Sequence, residues 1–380
     1  MRTIRKSQKS LYAVGLLLAT VSFLITSCAK KEDVFSASYV KERMEKSFDW
    51  QQKNPKWELY DWTNGAYHIG ISQAEKATNN PKYFDALVAT GETNNWSPGK
   101  RWYHADDLAI SLTYTDVYEK LKDTTLLTQT VKNLDTLMAN PVWTLDPKRE
   151  FEHHAIVQLW WWCDALFMGP TVFTRYAKIS GEEKYFNFSD KLYHQAYDLL
   201  YNQEEHLFTR DLKYLWKGSP DDKKEKNGKK IFWSRGNGWV ISGLTFLLDD
   251  ISKDSEKRDF YEKLFKEMAV SIKNLQPEDG LWRASLLDAS DPHGEMSGTS
   301  FFIYAMAWGI NNGYLDREEF LPTIKKSWKA MLSCQKENGM IGWVQQIGQS
   351  PKPVSPESWE VYGTGAFLMA GSEILKLDVQ

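Results

Sequence analysis

Asp164 stands in the run Trp160–Pro170, WWWCDALFMGP, among three tryptophans, Cys163, Leu166, Phe167 and Met168. A carboxyl group in apolar, aromatic surroundings loses solvation of its charged form, so its pKa rises. A carboxyl that keeps its proton near neutrality can act as a proton donor. The same residue also reads as a structural Asp, paired to Arg175 or bonded to backbone, and the run alone does not choose between the two. His153 lies eleven residues earlier, three turns along and on about the same face if a helix continues.

A second chemically loaded stretch is Trp233–Trp239, WSRGNGW. Its glycines and asparagine predict a loop entering the N-terminus of an apolar helix over Val240–Leu248, where free backbone N–H groups favour anions. Arg235 could fork onto a carboxylate, and Trp233 and Trp239 could flank a sugar ring; the competing reading is a glycine-dictated turn with aromatic packing. A third stretch, Tyr103-His104-Ala105-Asp106-Asp107, places adjacent acids before a helix. That is ordinarily an N-cap with its dipole complement, but a second carboxylate opposite Asp164 would orient a water or hold a sugar hydroxyl. Gly294–Ser300 (GEMSGTS) reads as a rim loop whose small donors could cap a helix or meet ligand, with capping the favoured reading.

Composition narrows the chemistry. The 17 tryptophans suit a cleft in which flat sugar faces stack on indole rings, although packing between helices must account for most of them. A net charge of −3 gives no basic field for a nucleic-acid backbone, and the run Lys223–Lys230, KKEKNGKK, reads as a solvated loop. The seven histidines are scattered, with no CxxC or HExxH pattern, so neither a metal nor a cofactor is expected.

The first residues read as processing signals. Arg2, Arg5, Lys6 and Lys9 precede the apolar stretch Leu11–Ile25, and Ile25-Thr26-Ser27-Cys28 resembles a bacterial lipobox. Residues 1–28 are therefore expected to be a lipoprotein signal ending at an acylated Cys28. Residues 29–36 would be a tether, and residues 37–380 one domain on the periplasmic side or outer-membrane surface, touching the membrane only through its lipid. Cys163 and Cys334 lie in apolar helical contexts and read as buried free thiols.

The elements that must position these residues read as helices almost throughout. Apolar residues recur at helical spacing over Val40–Trp50, Ala66–Ala77, Lys82–Thr90, Leu108–Leu121, Leu126–Met138, Ile156–Leu166 and Val172–Ile179. The pattern continues over Lys184–Tyr201, Trp239–Ile251, Phe260–Leu275, Ser300–Ile310, Phe320–Cys334 and Tyr362–Leu377. The turns Glu278–Trp282 and Glu337–Trp343 share an acid-or-amide, glycine, aromatic pattern about 60 residues apart, with Glu205–Phe208 as a glycine-free variant. About a dozen helices alternating between two rings predict an all-α (α/α)6 barrel, with an open solenoid of helix pairs as the competing architecture.

Together, WWWCDALFMGP, WSRGNGW, Asp279–Leu286 (DGLWRASL) and Ser297–Ile310 (SGTSFFIYAMAWGI) resemble the unsaturated rhamnogalacturonyl hydrolases of glycoside hydrolase family 105, related to the unsaturated glucuronyl hydrolases of family 88. The resemblance implies an (α/α)6 barrel, no metal, and a site at the barrel mouth. It implies that Asp164 is the catalytic acid, that Trp233, Arg235 and Trp239 bind the uronate ring and its carboxylate, and that His153 belongs to the site. The second acid is Asp107 or Asp106, with Asp107 preferred. Where family members commonly carry a His, this chain has Arg210, in Phe208-Thr209-Arg210-Asp211, which is expected to replace it among the substrate-binding residues. The implied partner is an oligosaccharide with a 4,5-unsaturated uronic acid at its non-reducing end, released by hydration of the double bond. Two other readings compete: an (α/α)6 sugar epimerase, disfavoured by the sparse histidines, and a non-catalytic glycan-binding lipoprotein.

Overall fold

Two kinds of helix build this chain, and burial separates them. The computed structural model describes residues 33–140 and 160–378. In α2 (Trp62–Thr78), α4 (Ala105–Leu121), α9 (Ser234–Asp250), α11 (Met296–Asn311) and α13 (Val361–Ile374) nearly every residue is buried, whichever way it points. A helix that is buried all round must be enclosed by other elements. The single turn α6 (Ala165–Met168) and α7 (Pro170–Ser180), divided at Gly169-Pro170, complete this inner set.

The remaining helices bury one stripe each. In α8 (Glu183–Leu200) the buried positions are Tyr185, Ser189, Asp190, Leu192, Tyr193, Ala196 and Leu200, which follow one helix face. The helices α1 (Ala37–Lys53), α3 (Pro81–Thr93), α5 (Thr128–Ala139), α10 (Arg258–Asn274) and α12 (Arg317–Ser333) behave alike. The inner helices pack in a closed ring: α2 on α4, α4 on α6 and α7, these on α9, then α11, α13 and α2 again. Closure decides between the two expected architectures: this is an (α/α)6 barrel and not an open solenoid. The ring is tight enough that a Cβ added to Gly70 would lie 2.2 Å from the Gly365 carbonyl oxygen across the α2–α13 contact.

The expected turns form where the sequence placed them. Gly280 and Gly339 take φ of +84° and +100°, and Asp279 and Asn338 accept from the backbone N–H two residues on. In the glycine-free variant His206 supplies the positive φ, joining two-residue strands at Tyr201–Asn202 and Leu207–Phe208. Cys163 and Cys334 are buried free thiols.

Three local expectations are corrected. Trp233–Trp239 is not a loop: α9 begins at Ser234, so Gly236 and Gly238 lie inside its first two turns. They serve close packing, since a Cβ at Gly238 would lie 2.9 Å from Phe301 Cβ and one at Gly236 would lie 3.0 Å from Cys163 Sγ. The helix expected over Ile156–Leu166 does not include Trp160–Asp164, which turn into α6; residues 156–159 lie outside the described residues, as do His153 and Cys28. Arg175 does not pair with Asp164. Its guanidinium bonds Asp116 of α4 and Asp250 of α9, both at 2.6 Å, at the opposite ends of the inner helices from Asp164.

Candidate active site

The inner helices bring their N-terminal ends to one mouth. A cavity of about 540 Å³ opens there, lined by Trp62 at the start of α2, Asp106 in the first turn of α4, Asp164 at the N-cap of α6, and Trp233 and Trp239 of α9. Its volume falls within the range of small-molecule sites. Trp162, Met168, Arg210, Lys213 and Tyr214 add to the wall, and a loop supplies Ile347, Gly348, Gln349, Ser350 and Lys352. The positive ends of several helix dipoles converge on this space, which favours an anionic ligand.

Asp164 is buried, as its tryptophan-rich run predicted. Its Oδ2 accepts from Arg210 Nε at 3.3 Å, while Oδ1 has no hydrogen-bond partner among the described residues. Burial raises its pKa, and the charges of Arg210 and Arg235 oppose that rise. Arg210 is itself steadied by Asp211 at 2.6 Å and lies over the Trp161 ring.

The second acid in the cavity is Asp106, which corrects the preference for Asp107. Asp107 turns away and accepts from Arg101 N at 2.7 Å and Arg101 Nε at 2.9 Å, holding the segment before α4 in place. Asp106 faces the cavity with His104 Nδ1 3.6 Å from its Oδ2. Burial, and next the charge of Asp164, push the Asp106 carboxyl up to about 7. His104 is no counter-charge, because burial and Arg101 pull its pKa down to about 4 and leave it neutral. Burial therefore raises both carboxyls, and the charge of Asp164 adds to the rise of Asp106.

The raised Asp106 carboxyl should make stability depend on pH. A carboxyl whose folded pKa lies above its unfolded value favours the folded state at low pH and disfavours it once pH rises through the folded value. Asp106→Asn is therefore expected to be more stable than the wild type above pH 7, by at most roughly 4 kcal/mol for a rise from 3.8 to about 7. The difference should disappear below about pH 4. Thermal unfolding across that range measures it; an advantage that persists at pH 4 would show that the charge of Asp106 is not its cause.

Trp233 and Trp239 both reach the cavity, but Arg235 does not. It is fully buried, with its guanidinium between the Trp233 and Tyr362 rings at 4.3 and 4.7 Å. NH1 and NH2 donate to the carbonyls of Gln345 and Gln346 at 2.7 and 3.0 Å. The fork expected to meet a substrate carboxylate is already filled by the chain's own backbone. Glu295 caps α11 through Ser297 N and Gly298 N, as the Gly294–Ser300 segment suggested.

Sequence reasoning missed Trp62, Lys213, Tyr214 and the 347–352 loop. Trp62 carried a signal, an aromatic directly after the capping Asp61; the loop carried none, having no apolar period. Among the described residues no group of three or more His, Cys, Asp or Glu side chains could hold a metal ion.

A ring of six inner helices with paired carboxyls and tryptophan walls at its mouth defines a carbohydrate-active enzyme of the (α/α)6 class. Residues 36–378 match the description Glycosyl Hydrolase Family 88, and the chain belongs to that family. It is 49% identical over 347 residues to an unsaturated 3S-rhamnoglycuronyl hydrolase of Formosa agariphila, covering 90% of this chain and 92% of that protein. A protein of the same name from Alteromonas sp. is 32% identical over 325 residues, covering 83% and 77%. Among solved structures, a family 88 glycosyl hydrolase from Bacteroides vulgatus superposes with a TM-score of 0.81 at 27% identity, covering 90% of this chain and 99% of that one. A possible family 105 member from Salmonella enterica shares the fold, with a TM-score of 0.72 at 17% identity, covering 90% and 95%. The chain is a glycoside hydrolase, which sets aside the epimerase and the non-catalytic binder.

Proposed function

We propose that this enzyme removes a 4,5-unsaturated uronic acid from the non-reducing end of lyase-generated oligosaccharides by hydrating the C4–C5 double bond. The observation that carries this reading is geometric: two buried carboxyls, Asp106 and Asp164, face one aromatic-walled cavity, where burial raises the pKa of both. Ordinary glycosidases set two carboxyls about the anomeric carbon. Here the reactive group is a vinyl ether conjugated to a carboxylate. Asp164 delivers a proton to C4, and positive charge develops at C5 and the ring oxygen. Water deprotonated by the same Asp164 adds at C5, and the hemiketal opens and expels the next sugar. Burial raises the proton affinity of Asp164, while the charges of Arg210 and Arg235 limit that rise.

Trp62, Trp162, Trp233 and Trp239 supply flat faces for the ring, and Arg210, Lys213 and Lys352 are the cations on the cavity wall. The names of the two curated relatives support a substrate in which the unsaturated glycuronyl group is joined to 3S-rhamnose. Mixing the enzyme with lyase products and following the alkene's ultraviolet absorbance tests the activity. The absorbance should fall as free sugar appears; an unchanged alkene with bound oligosaccharide would oppose it.

We also propose that Cys28 carries the lipid that holds the enzyme at the cell envelope, supported by the Ile25–Cys28 motif after a basic and apolar leader. Cys28→Ser should abolish incorporation of labelled fatty acid and leave kcat/KM unchanged. Equal labelling of both proteins would contradict the anchor.

A further inference from the structure

The loop from Gln346 to Lys352 forms one side of the cavity, yet its composition gives it little packing of its own. Gly348, Gln349, Ser350 and Pro351 bury little apolar surface, and Ile347 is 43% exposed. What fixes it is a buried set of hydrogen bonds centred on Gln345, which is only 1% exposed. The Gln345 carbonyl accepts from Arg235 NH1 at 2.7 Å and from the Tyr362 hydroxyl at 2.6 Å. Its N–H donates to Glu295 Oε1 at 2.9 Å, tying the loop to the start of α11. The side chain works in both directions. Oε1 accepts from Trp233 Nε1 at 2.9 Å and from Lys352 N at 3.2 Å, and Nε2 donates to the Ser350 carbonyl at 2.8 Å. One amide thus joins the two ends of the loop to each other and to the Trp233 indole, which also lines the cavity.

We propose that Gln345 and Arg235 are positioning residues: they set the 346–352 loop and Trp233 in fixed relation and so shape the substrate-binding face without touching substrate. Both ends of the Gln345 amide are used, so neither a carboxylate nor an apolar side chain replaces it. Both outer nitrogens of Arg235 are used as a fork on consecutive carbonyls, so lysine, with a single point donor, cannot hold both. The reacting carboxyls stand elsewhere, Asp106 on α4 and Asp164 at the N-cap of α6; none of these hydrogen bonds reaches them, and Arg235→Lys keeps the positive charge that acts on Asp164. Loss of the tether therefore weakens binding and leaves the chemical step in place.

The kinetic part of the test rests on the proposed function; the structural part does not. In Gln345→Met and Arg235→Lys, amide exchange at residues 346–352 should quicken by about tenfold or more while α4 and α7 keep wild-type protection. KM for the unsaturated oligosaccharide should rise by about tenfold, with kcat within about threefold. Oligosaccharides whose terminal uronide carries a free carboxylate or its methyl ester should suffer equally from Arg235→Lys. Tyr362→Phe, which removes one donor to the Gln345 carbonyl, should shift loop exchange in the same direction by less, and it covers the case in which the other variants do not fold. Unchanged exchange at 346–352 in the variants that fold would overturn the proposal. So would a loss of kcat alone, or an Arg235→Lys defect confined to the free acid, the mark of a direct carboxylate clamp. A wild-type enzyme inert towards unsaturated uronides would refute the proposed activity and leave the exchange result to decide the tether.

Discussion

Replacing Asp164 by asparagine is expected to lower kcat by about a thousandfold or more while the barrel remains folded. An amide occupies the same space but cannot give a proton to C4 and then take one from water. The fold should not suffer, because Oδ1 of Asp164 makes no hydrogen bond among the described residues and Oδ2 makes only the 3.3 Å contact to Arg210. Removal of a buried carboxyl whose pKa is raised takes away a charge that the folded state disfavours above its ordinary range. Melting temperature at pH 7 should thus equal or exceed that of the wild type. A folded variant with activity within tenfold of wild type would remove Asp164 from the chemical step.

The second large effect is one of stability, at the opposite end of the barrel. Arg175 of α7 bonds Asp116 of α4 and Asp250 of α9, and Lys76 and Lys178 add contacts of 2.7 and 3.0 Å to the same two acids. Burial alone would raise the Asp116 carboxyl, but Lys76 and Arg175 hold it down to about 2. Arg175→Met keeps the bulk of the side chain and leaves two buried carboxylates with only one lysine each. Breaking such a pair from one side costs about 3–5 kcal/mol, and the lysines place this case at the lower end. That corresponds to a fall in Tm of roughly 5 °C at neutral pH for a domain of this size. The depressed Asp116 carboxyl contributes its stability above its unfolded value and loses it as pH falls towards 2. The gap between variant and wild type should therefore be full at pH 7 and shrink below about pH 4. A Tm within 1 °C of wild type at pH 7 would show that the network is not a determinant of closure.

The architecture was legible because the two helix classes differ in what they can leave exposed. Outer helices such as α8 carry one apolar stripe, inner helices such as α11 are apolar all round, and Gly280 and Gly339 mark reversals that require positive φ. The site was legible in part. Asp164 stood out because a carboxyl among three tryptophans is poorly solvated when charged, although the run alone left a structural Asp equally open. Asp106 and Asp107 were not separable, because neighbours on a helix differ by about 100° in direction and only the ring of inner helices decides which faces inward. The glycines of Trp233–Trp239 were misread because local propensity favours a turn, whereas tertiary packing against Cys163 and Phe301 demands helix without side chains. Arg235 shows a different limit: sequence identifies a planar fork, but its acceptors, the carbonyls of Gln345 and Gln346, lie about 110 residues away. A loop without periodicity, such as 347–352, announces nothing until its neighbours are in place.

The central claim is proton delivery to C4 of an unsaturated uronide by the carboxyl pair. It is tested most directly by running the reaction on lyase-generated oligosaccharides in heavy water and reading the product by nuclear magnetic resonance. Hydration across the double bond predicts one deuterium at C4 of the released uronic acid for each alkene lost, and essentially none with Asp164→Asn. Release of the uronic acid with the alkene intact and no deuterium at C4 would mean ordinary cleavage at the anomeric carbon, and would contradict the mechanism.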